Sequence, residues 1–322
     1  MIRRVQSFFN PEQFQGWNKT KRYFEGWYYK IVDANEKYAF AIIPGIAMDK
    51  NGEKHAFIQV LDGKKLSSHY HKFDFDSFTA RPGKLDITIG ENSFSGKFIH
   101  IDLPEIQCKL EFRNVIPWPK PFYSPGIMGP YAFVPFMECY HGIVSMDHSI
   151  MGNIRYNNQD INFNHGRGYI EKDWGRSFPR AYFWLQSNHF SQPGISIKAS
   201  VAKIPWLNSF FTGFICGIWL NNKLIRFTTY NRSFLRKSFA NEERVELVME
   251  NKKYSLSITV HRDHATGLAA PVHGLMEGRI EESMNATLEI TLTDLDKNRV
   301  MLKDTGRNAC LEVAGDIEEI FV

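Results

Sequence analysis

Along most of the chain, short runs of apolar, aromatic and β-branched residues alternate with clusters of Asn, Asp and Gly. Residues 38–43 and 55–61 flank the turn signal Asp49-Lys50-Asn51-Gly52, residues 85–89 and 95–101 flank Gly90-Glu91-Asn92, and residues 153–156 and 160–163 flank Asn157-Asn158. Further on, residues 214–220 and 223–229 flank Asn221-Asn222, residues 244–249 and 254–260 flank Asn251-Lys252, and residues 288–293 and 300–303 repeat the pattern. Such bounded runs predict strands, and Asn tolerates the left-handed conformation that a two-residue hairpin needs. No window of helical length carries a 3.6-residue apolar period, so the helices of a parallel α/β sheet are not predicted. The expectation is an all-β protein of successive antiparallel hairpins.

An open sheet of a dozen strands would expose edges and tend to curl or split, whereas barrels remove the edges. A lipocalin-type barrel of about eight strands uses roughly half of a chain this long, so two tandem lipocalin-like antiparallel β-barrel domains are expected. An internal echo, Arg22-Tyr-Phe-Glu-Gly-Trp27 against Arg180-Ala-Tyr-Phe-Trp184, places the boundary between residues 165 and 180. The domains are therefore drawn as 1–170 and 171–322. The Pro-rich stretch 117–135 cannot be central strand and is read as an insertion in the first domain or part of a lid.

Composition adds one hint and several exclusions. Aromatic residues make up 14% of the chain, which suits either an all-β core or a pocket for a large apolar ligand. The formal net charge of +4 is spread without a basic patch, which argues against a nucleic-acid partner. The four cysteines are far apart and form no C-x-x-C pair, as expected of buried thiols in a reducing compartment. The N-terminus lacks the apolar core of a signal peptide, and the longest apolar run, 210–220, is broken by Thr212 and two glycines. This reads as a cytoplasmic protein with peripheral membrane contact left open and oligomeric state undetermined.

Two stretches could carry chemistry. In Tyr23-Phe-Glu-Gly-Trp-Tyr-Tyr-Lys30, strand alternation puts Glu25, Trp27 and Tyr29 on one face. A carboxylate among aromatics in a barrel interior is desolvated, which raises its pKa towards that of a proton donor; the alternative is a Glu paired with an Arg to seal the barrel end. In the second stretch, Glu171-Lys-Asp-Trp-Gly175 reads as a polar turn, and residues 181–190 as a strand. That strand puts Tyr182, Trp184, Gln186 and Asn188 on one face and Ala181, Phe183, Leu185, Ser187 and His189 on the other. The first face suits a cavity with an apolar wall and a few placed hydrogen bonds, or is an outer face with chance aromatics.

Phe24-Glu-Gly-Trp-Tyr28, followed by Glu171-Lys-Asp-Trp-Gly-x-x-Phe-Pro-Arg180 and Phe183-Trp-Leu-Gln-Ser-Asn188, resembles the tocopherol cyclase family. Ala269-Ala-Pro271 and Ala309-Cys-Leu-Glu-Val-Ala-Gly315 resemble its C-terminal segments, in the same order. The resemblance implies cyclisation of a prenylated quinol to a chromanol with no redox cofactor. It also places the chain near tandem lipocalin-like carotenoid hydratases, whose Tyr-x-Asp motif corresponds to Tyr169-Ile-Glu171. On that reading an acid protonates an alkene, aromatic faces stabilise the tertiary cation, and the quinol oxygen closes the ring.

Candidate acids are Glu171, then Asp173, then Glu25, with Tyr169 relaying or orienting the proton. Trp27, Trp174, Tyr182 and Trp184 are candidate cavity walls, and Gln186 and Asn188 candidate partners for the quinol oxygens. Asp173, close in sequence to Arg176 and Arg180, has a purely structural alternative. His69 with His71, and His261 with His264, lack a carboxylate or cysteine spaced to complete a metal site, so no metal is expected. Neither Ser145 nor Ser187 sits in a nucleophile elbow, and Gly166-x-Gly168 lacks the helix of a phosphate loop. The rival readings are a lipocalin-like binder of a hydrophobic isoprenoid or lipid, and an isoprenoid hydratase.

Overall fold

The computed structural model describes residues 7–322; the first six residues, part of the stretch read for a leader, lie outside it. The first sheet contains β1 (Tyr23–Val32), β2 (Ala39–Met48), β3 (Lys54–Asp62), β4 (Ser67–Asp74), β5 (Phe78–Ala80) and β6 (Asp86–Ile89). It continues with β7 (Asn92–Ser95), β8 (Phe98–Asp102), β9 (Ile106–Arg113), β10 (Cys139–Tyr156), β11 (Gln159–Asn162) and β12 (Gly166–Gly175). The second sheet contains β13 (Ala181–Ser187), β14 (Ser196–Trp206), β15 (Ser209–Leu220), β16 (Lys223–Thr228) and β17 (Phe234–Ala240). It ends with β18 (Arg244–Glu250), β19 (Tyr254–His261), β20 (Thr266–Val272), β21 (Leu275–Asp294) and β22 (Arg299–Gly315). No helix among the described residues is long and apolar enough to cross a membrane.

Both sheets follow one plan. Neighbours run β4-β3-β2-β1-β12-β10-β9-β8-β7-β6-β5 in the first and β16-β15-β14-β13-β22-β21-β19-β18-β17 in the second. In each, the first strand pairs with the last, β1 with β12 and β13 with β22, at the middle of the path. The sequence echo falls on β1 and β13, which hold equivalent places in the two paths. Asn157, Asn158, Asn221 and Asn222 adopt φ of 49°, 64°, 50° and 59°, the left-handed turns expected of them.

Closure differs from the expectation. Each sheet curls around one apolar cluster, but no ladder joins β4 to β5 or β16 to β17 among the described residues. In the first unit, Ala56, Ile58 and Val60 of β3 share a cluster with Ile87, Ile89 and Phe94 of β6 and β7. Opposite ends of the strand path thus meet through side chains, so burial rather than hydrogen bonding completes the wrap.

The division by contacts also differs in detail from the one drawn on the sequence. The first unit runs to Phe178 and regains Ala269–Arg279; the second holds Pro179–Leu268 and Ile280–Val322. The boundary lies after Phe178 because β12 pairs on both sides with strands of the first sheet. The returning segment is held by the Ala269 N–H to Gln59 Oε1 at 2.9 Å and the Met48 N–H to the Gly274 carbonyl at 3.1 Å. The Pro-rich stretch connects β9 to β10 and contains only a short 3-10 turn, Gly129–Phe133.

One buried histidine of the first unit gives the fold a pH dependence. His148 is 2% exposed, packs on the Phe112 ring at 4.4 Å, and has Nδ1 3.0 Å from Ser145 Oγ. Burial first, and the Arg167 charge second, push its imidazole down to about 3. Unfolded, it protonates below about 6.5, so the unfolded state then binds the extra proton. This contribution to stability is present above that pH and is lost, by roughly 1.4 kcal/mol per unit, as pH falls towards the folded value. Urea midpoints measured between about pH 7 and 4.5 should fall accordingly, and His148→Gln should flatten the slope. An unchanged slope in that variant would assign the effect to other groups.

Candidate active site

Strand β12 positions the site. Its register with β1 and β10 sets Gly26, Asp173 and His141 in one row and Tyr28, Glu171 and Ile143 in the next. Expected as a turn, Glu171–Gly175 is instead the second half of this strand. The misreading has a physical cause: every charged side chain in it is satisfied by a residue distant in sequence. Strand alternation sends Tyr169, Glu171 and Asp173 to one face, while Ile170, Lys172 and Trp174 point to the first unit's apolar cluster.

On the acidic face, the Tyr169 hydroxyl donates to Glu171 Oε2 in a short hydrogen bond. His141 joins the two carboxylates. Its Nδ1 lies 2.6 Å from Asp173 Oδ1, and its Nε2 lies 3.5 Å from Glu171 Oε2. The Glu171 side chain is 5% exposed, that of His141 13% and that of Asp173 22%, so the cluster is driest at Glu171 and partly wetted at Asp173. The Cys139 thiol, two residues from His141, lies 3.9 Å from Asp173 Oδ1. Donor atoms of His141, Glu171 and Asp173 all fall within 4.8 Å of one another, close enough to hold one metal ion or to share one proton.

Two glycines shape this face. Gly175 ends β12 at φ 156°, and a Cβ there would fall 2.2 Å from the Glu138 carbonyl oxygen. The motif therefore ends in Gly so that β10, which carries His141, can lie against β12. Gly26, across from Asp173, is different: a Cβ there would meet nothing nearer than 3.7 Å. A Cβ there would make ordinary contact with Ile43, Pro44 and Phe57, and the buried ring of Tyr28 lies in the adjacent row.

The other expected residues are placed elsewhere. Glu25, Trp27 and Trp174 lie on the opposite face of the sheet, around the fully buried Lys172. Lys172 Nζ is 2.5 Å from Glu25 Oε1 and sits 5.0 Å from the Trp27 ring centroid and 4.4 Å from that of Trp174. Burial raises the Glu25 carboxyl despite Lys172, and lowers the Lys172 ammonium despite Glu25. Tyr182, Trp184 and Gln186 are buried in the second unit on the face of β13 turned away from its cluster of Ala181, Phe183 and Leu185; the strand ends at Ser187, short of the expected residue 190, and Asn188 is buried just beyond it. Tyr182 donates to Glu312 Oε2 at 2.7 Å. Of the histidine pairs, His71 meets Glu105 at 2.7 Å and His261 meets Glu289 at 3.2 Å, and neither gathers three donors among the described residues.

The family model described as Tocopherol cyclase-like matches residues 96–315, which include β10, β12 and β13. The chain belongs to the tocopherol cyclase-like family. Over 198 residues it is 25% identical to a protein of Oryza sativa subsp. japonica described as "Probable tocopherol cyclase, chloroplastic", a match covering 58% of this chain and 42% of the relative. A 73-residue stretch is 34% identical to "Tocopherol cyclase, chloroplastic" of Zea mays, covering 23% of this chain and 15% of that protein. The chain thus matches less than half the length of these curated relatives. Among solved structures, CghA in complex with Sch210972 aligns over 91% of this chain and 89% of its own, with 8% identity and a TM-score of 0.56. A Nitrosomonas europaea protein described as AttH aligns over 91% and 93%, with 15% identity and a TM-score of 0.55. At these identities the likeness concerns the fold: all-β, with two lipocalin-like antiparallel units.

Membership of the tocopherol cyclase-like family frames what sequence reasoning missed. His141 carried no local signal, since a lone His between Tyr140 and Gly142 matches no motif. A register pairing the C-x-H stretch of β10 with the E-x-D stretch of β12 would have found it. Tyr28, in the Phe24-Glu-Gly-Trp-Tyr28 motif, stands opposite Glu171 across the β1–β12 ladder.

Proposed function

We propose that this protein is an acid-catalysed cyclase acting on a lipophilic prenylated quinol and closing it to a chromanol. The observation that supports this is the buried Glu171 carboxyl, set beside His141 and Asp173 on one face of a strand central to the family motif. Glu171 adds its proton to the alkene carbon nearer the ring, breaking the π bond and leaving a tertiary cation. The Tyr28 ring offers a face to that cation without the nucleophilicity that would trap it. The phenol oxygen bonds to the cationic carbon, and its proton returns to Glu171 by way of His141, so the reaction is an isomerisation with no net redox change. Asp173 is a positioning residue that fixes the His141 ring through Nδ1. Tyr182, Trp184, Gln186 and Asn188 are proposed as a ligand-binding face of the second unit.

The test is incubation of the whole protein with prenylated quinols of several tail lengths in deuterated water. The expected product is a chromanol with one deuterium on the ring carbon next to the new quaternary carbon. Tight quinol binding with no product from folded protein, at every tail length, would favour a carrier. A tertiary alcohol would make the same site a hydratase, with water in place of the phenol oxygen.

A further inference from the structure

The hairpin between β14 and β15 breaks a rule that its neighbour obeys. The turn joining β15 to β16 places Asn221 and Asn222 at positive φ, as sterics favour. At the β14–β15 turn, Leu207 occupies the left-handed region at φ 53°, and its side chain is 79% exposed. A Leu there costs backbone strain and leaves apolar surface in water, and Asn would avoid both. Apart from Asn208, which completes the turn, and Ser209, the side chains around it are apolar. Phe210 is 45% exposed, Trp206 packs edge-on against Phe211 at 5.9 Å, and no charge interrupts residues 204–212. Cations stand at the base of the hairpin. The Arg180 guanidinium lies 4.3 Å from the Phe210 ring centroid and pairs with Glu319 at 2.5 Å, and Lys203 donates to the Glu319 carbonyl at 3.2 Å.

We infer that the β14–β15 hairpin tip, led by Leu207 and Phe210, inserts into the interface of a lipid bilayer. A convex two-residue tip offers far less than the roughly 800 Å² per partner that a stable protein contact buries. Lipid needs no complementary surface, and it accepts an apolar tip with aromatics at headgroup depth and Arg or Lys above them. The inference rests on the proposed function only for its purpose, which is to bring the protein to where a membrane-dissolved quinol resides.

The test uses the full chain and vesicles of phosphatidylcholine alone, containing no quinol, so it can fail independently of the cyclase reading. Wild type should co-float with the vesicles, and Leu207→Asn should lower the partition coefficient at least tenfold; the double variant Leu207→Asn/Phe210→Asn should abolish flotation. Leu207→Asn relieves the positive-φ strain, so its thermal midpoint should equal or exceed that of wild type, which separates loss of binding from loss of fold. Phe234→Asn, at another exposed aromatic of the same unit (56% exposed), should leave flotation unchanged. No flotation of wild type, or flotation undiminished in the double variant, overturns the inference. So does Leu207-dependent self-association without vesicle binding, because it assigns the tip to a second copy of the chain.

Discussion

Replacing Glu171 by Gln is expected to lower the rate of chromanol formation by about 10²–10⁴-fold, the usual contribution of a positioned general acid. Gln keeps the length of the side chain and an oxygen to accept from the Tyr169 hydroxyl, but it cannot deliver a proton to carbon. Quinol binding should therefore change little, and the loss should appear in kcat. A conservative change in a group already paired on its own face should also leave the unfolding midpoint within about 1 kcal/mol of wild type.

Asp173→Asn separates donor from orienter. Asn at this position still accepts a hydrogen bond from His141 Nδ1, but it no longer supplies a negative charge 2.6 Å from the ring. The expected loss is smaller, about tenfold, because Asn still orients the His141 ring and withdraws only the charge beside it. Equal losses in the two variants would make Asp173 a second donor. Unchanged turnover in both would move the acid elsewhere while leaving the reaction itself intact.

How much of this was legible in the sequence follows from the range of the forces involved. The hairpins are local, and Asn157-Asn158 and Asn221-Asn222 announce their turns through steric preferences acting within four residues. The alternation of Tyr182 to Asn188 against Ala181 to Leu185 is likewise a property of one strand. The second half of β12 was illegible because its charges looked solvated. Glu171 and Lys172 are buried and Asp173 half-buried, with Lys172 paired to Glu25 on β1 and Asp173 to His141 across 32 positions of sequence. Sheet closure was illegible for a related reason. A side-chain seam between opposite ends of the strand path leaves no mark in the period of either strand, and only a hydrogen-bonded ladder was foreseen.

The largest stability effect is expected at the buried ion pair beneath the site. Lys172 and Glu25 are both fully buried, and Lys172 also donates to the carbonyls of Pro11 and Gln13 while Glu25 accepts from the Tyr23 hydroxyl at 2.6 Å and the Gln15 N–H at 2.8 Å. The pair thus fastens residues 11–15 over the interior of the first unit. Lys172→Met strands the Glu25 charge in an apolar interior, and breaking such a pair from one side costs about 3–5 kcal/mol. Adding Glu25→Gln to Lys172→Met removes that charge and keeps an acceptor for Tyr23 or Gln15, so the double variant should recover most of the loss. Urea unfolding of the four proteins should then give a coupling of about 2 kcal/mol or more; simple additivity would mean the pair is not coupled. The double variant also decides between the candidate acids. Its altered side chains point away from Glu171, so its chromanol rate should stay within a fewfold of wild type. If it folds and yet loses turnover as Glu171→Gln does, the proton comes from Glu25 on the inner face, and the relay through His141 is only structural.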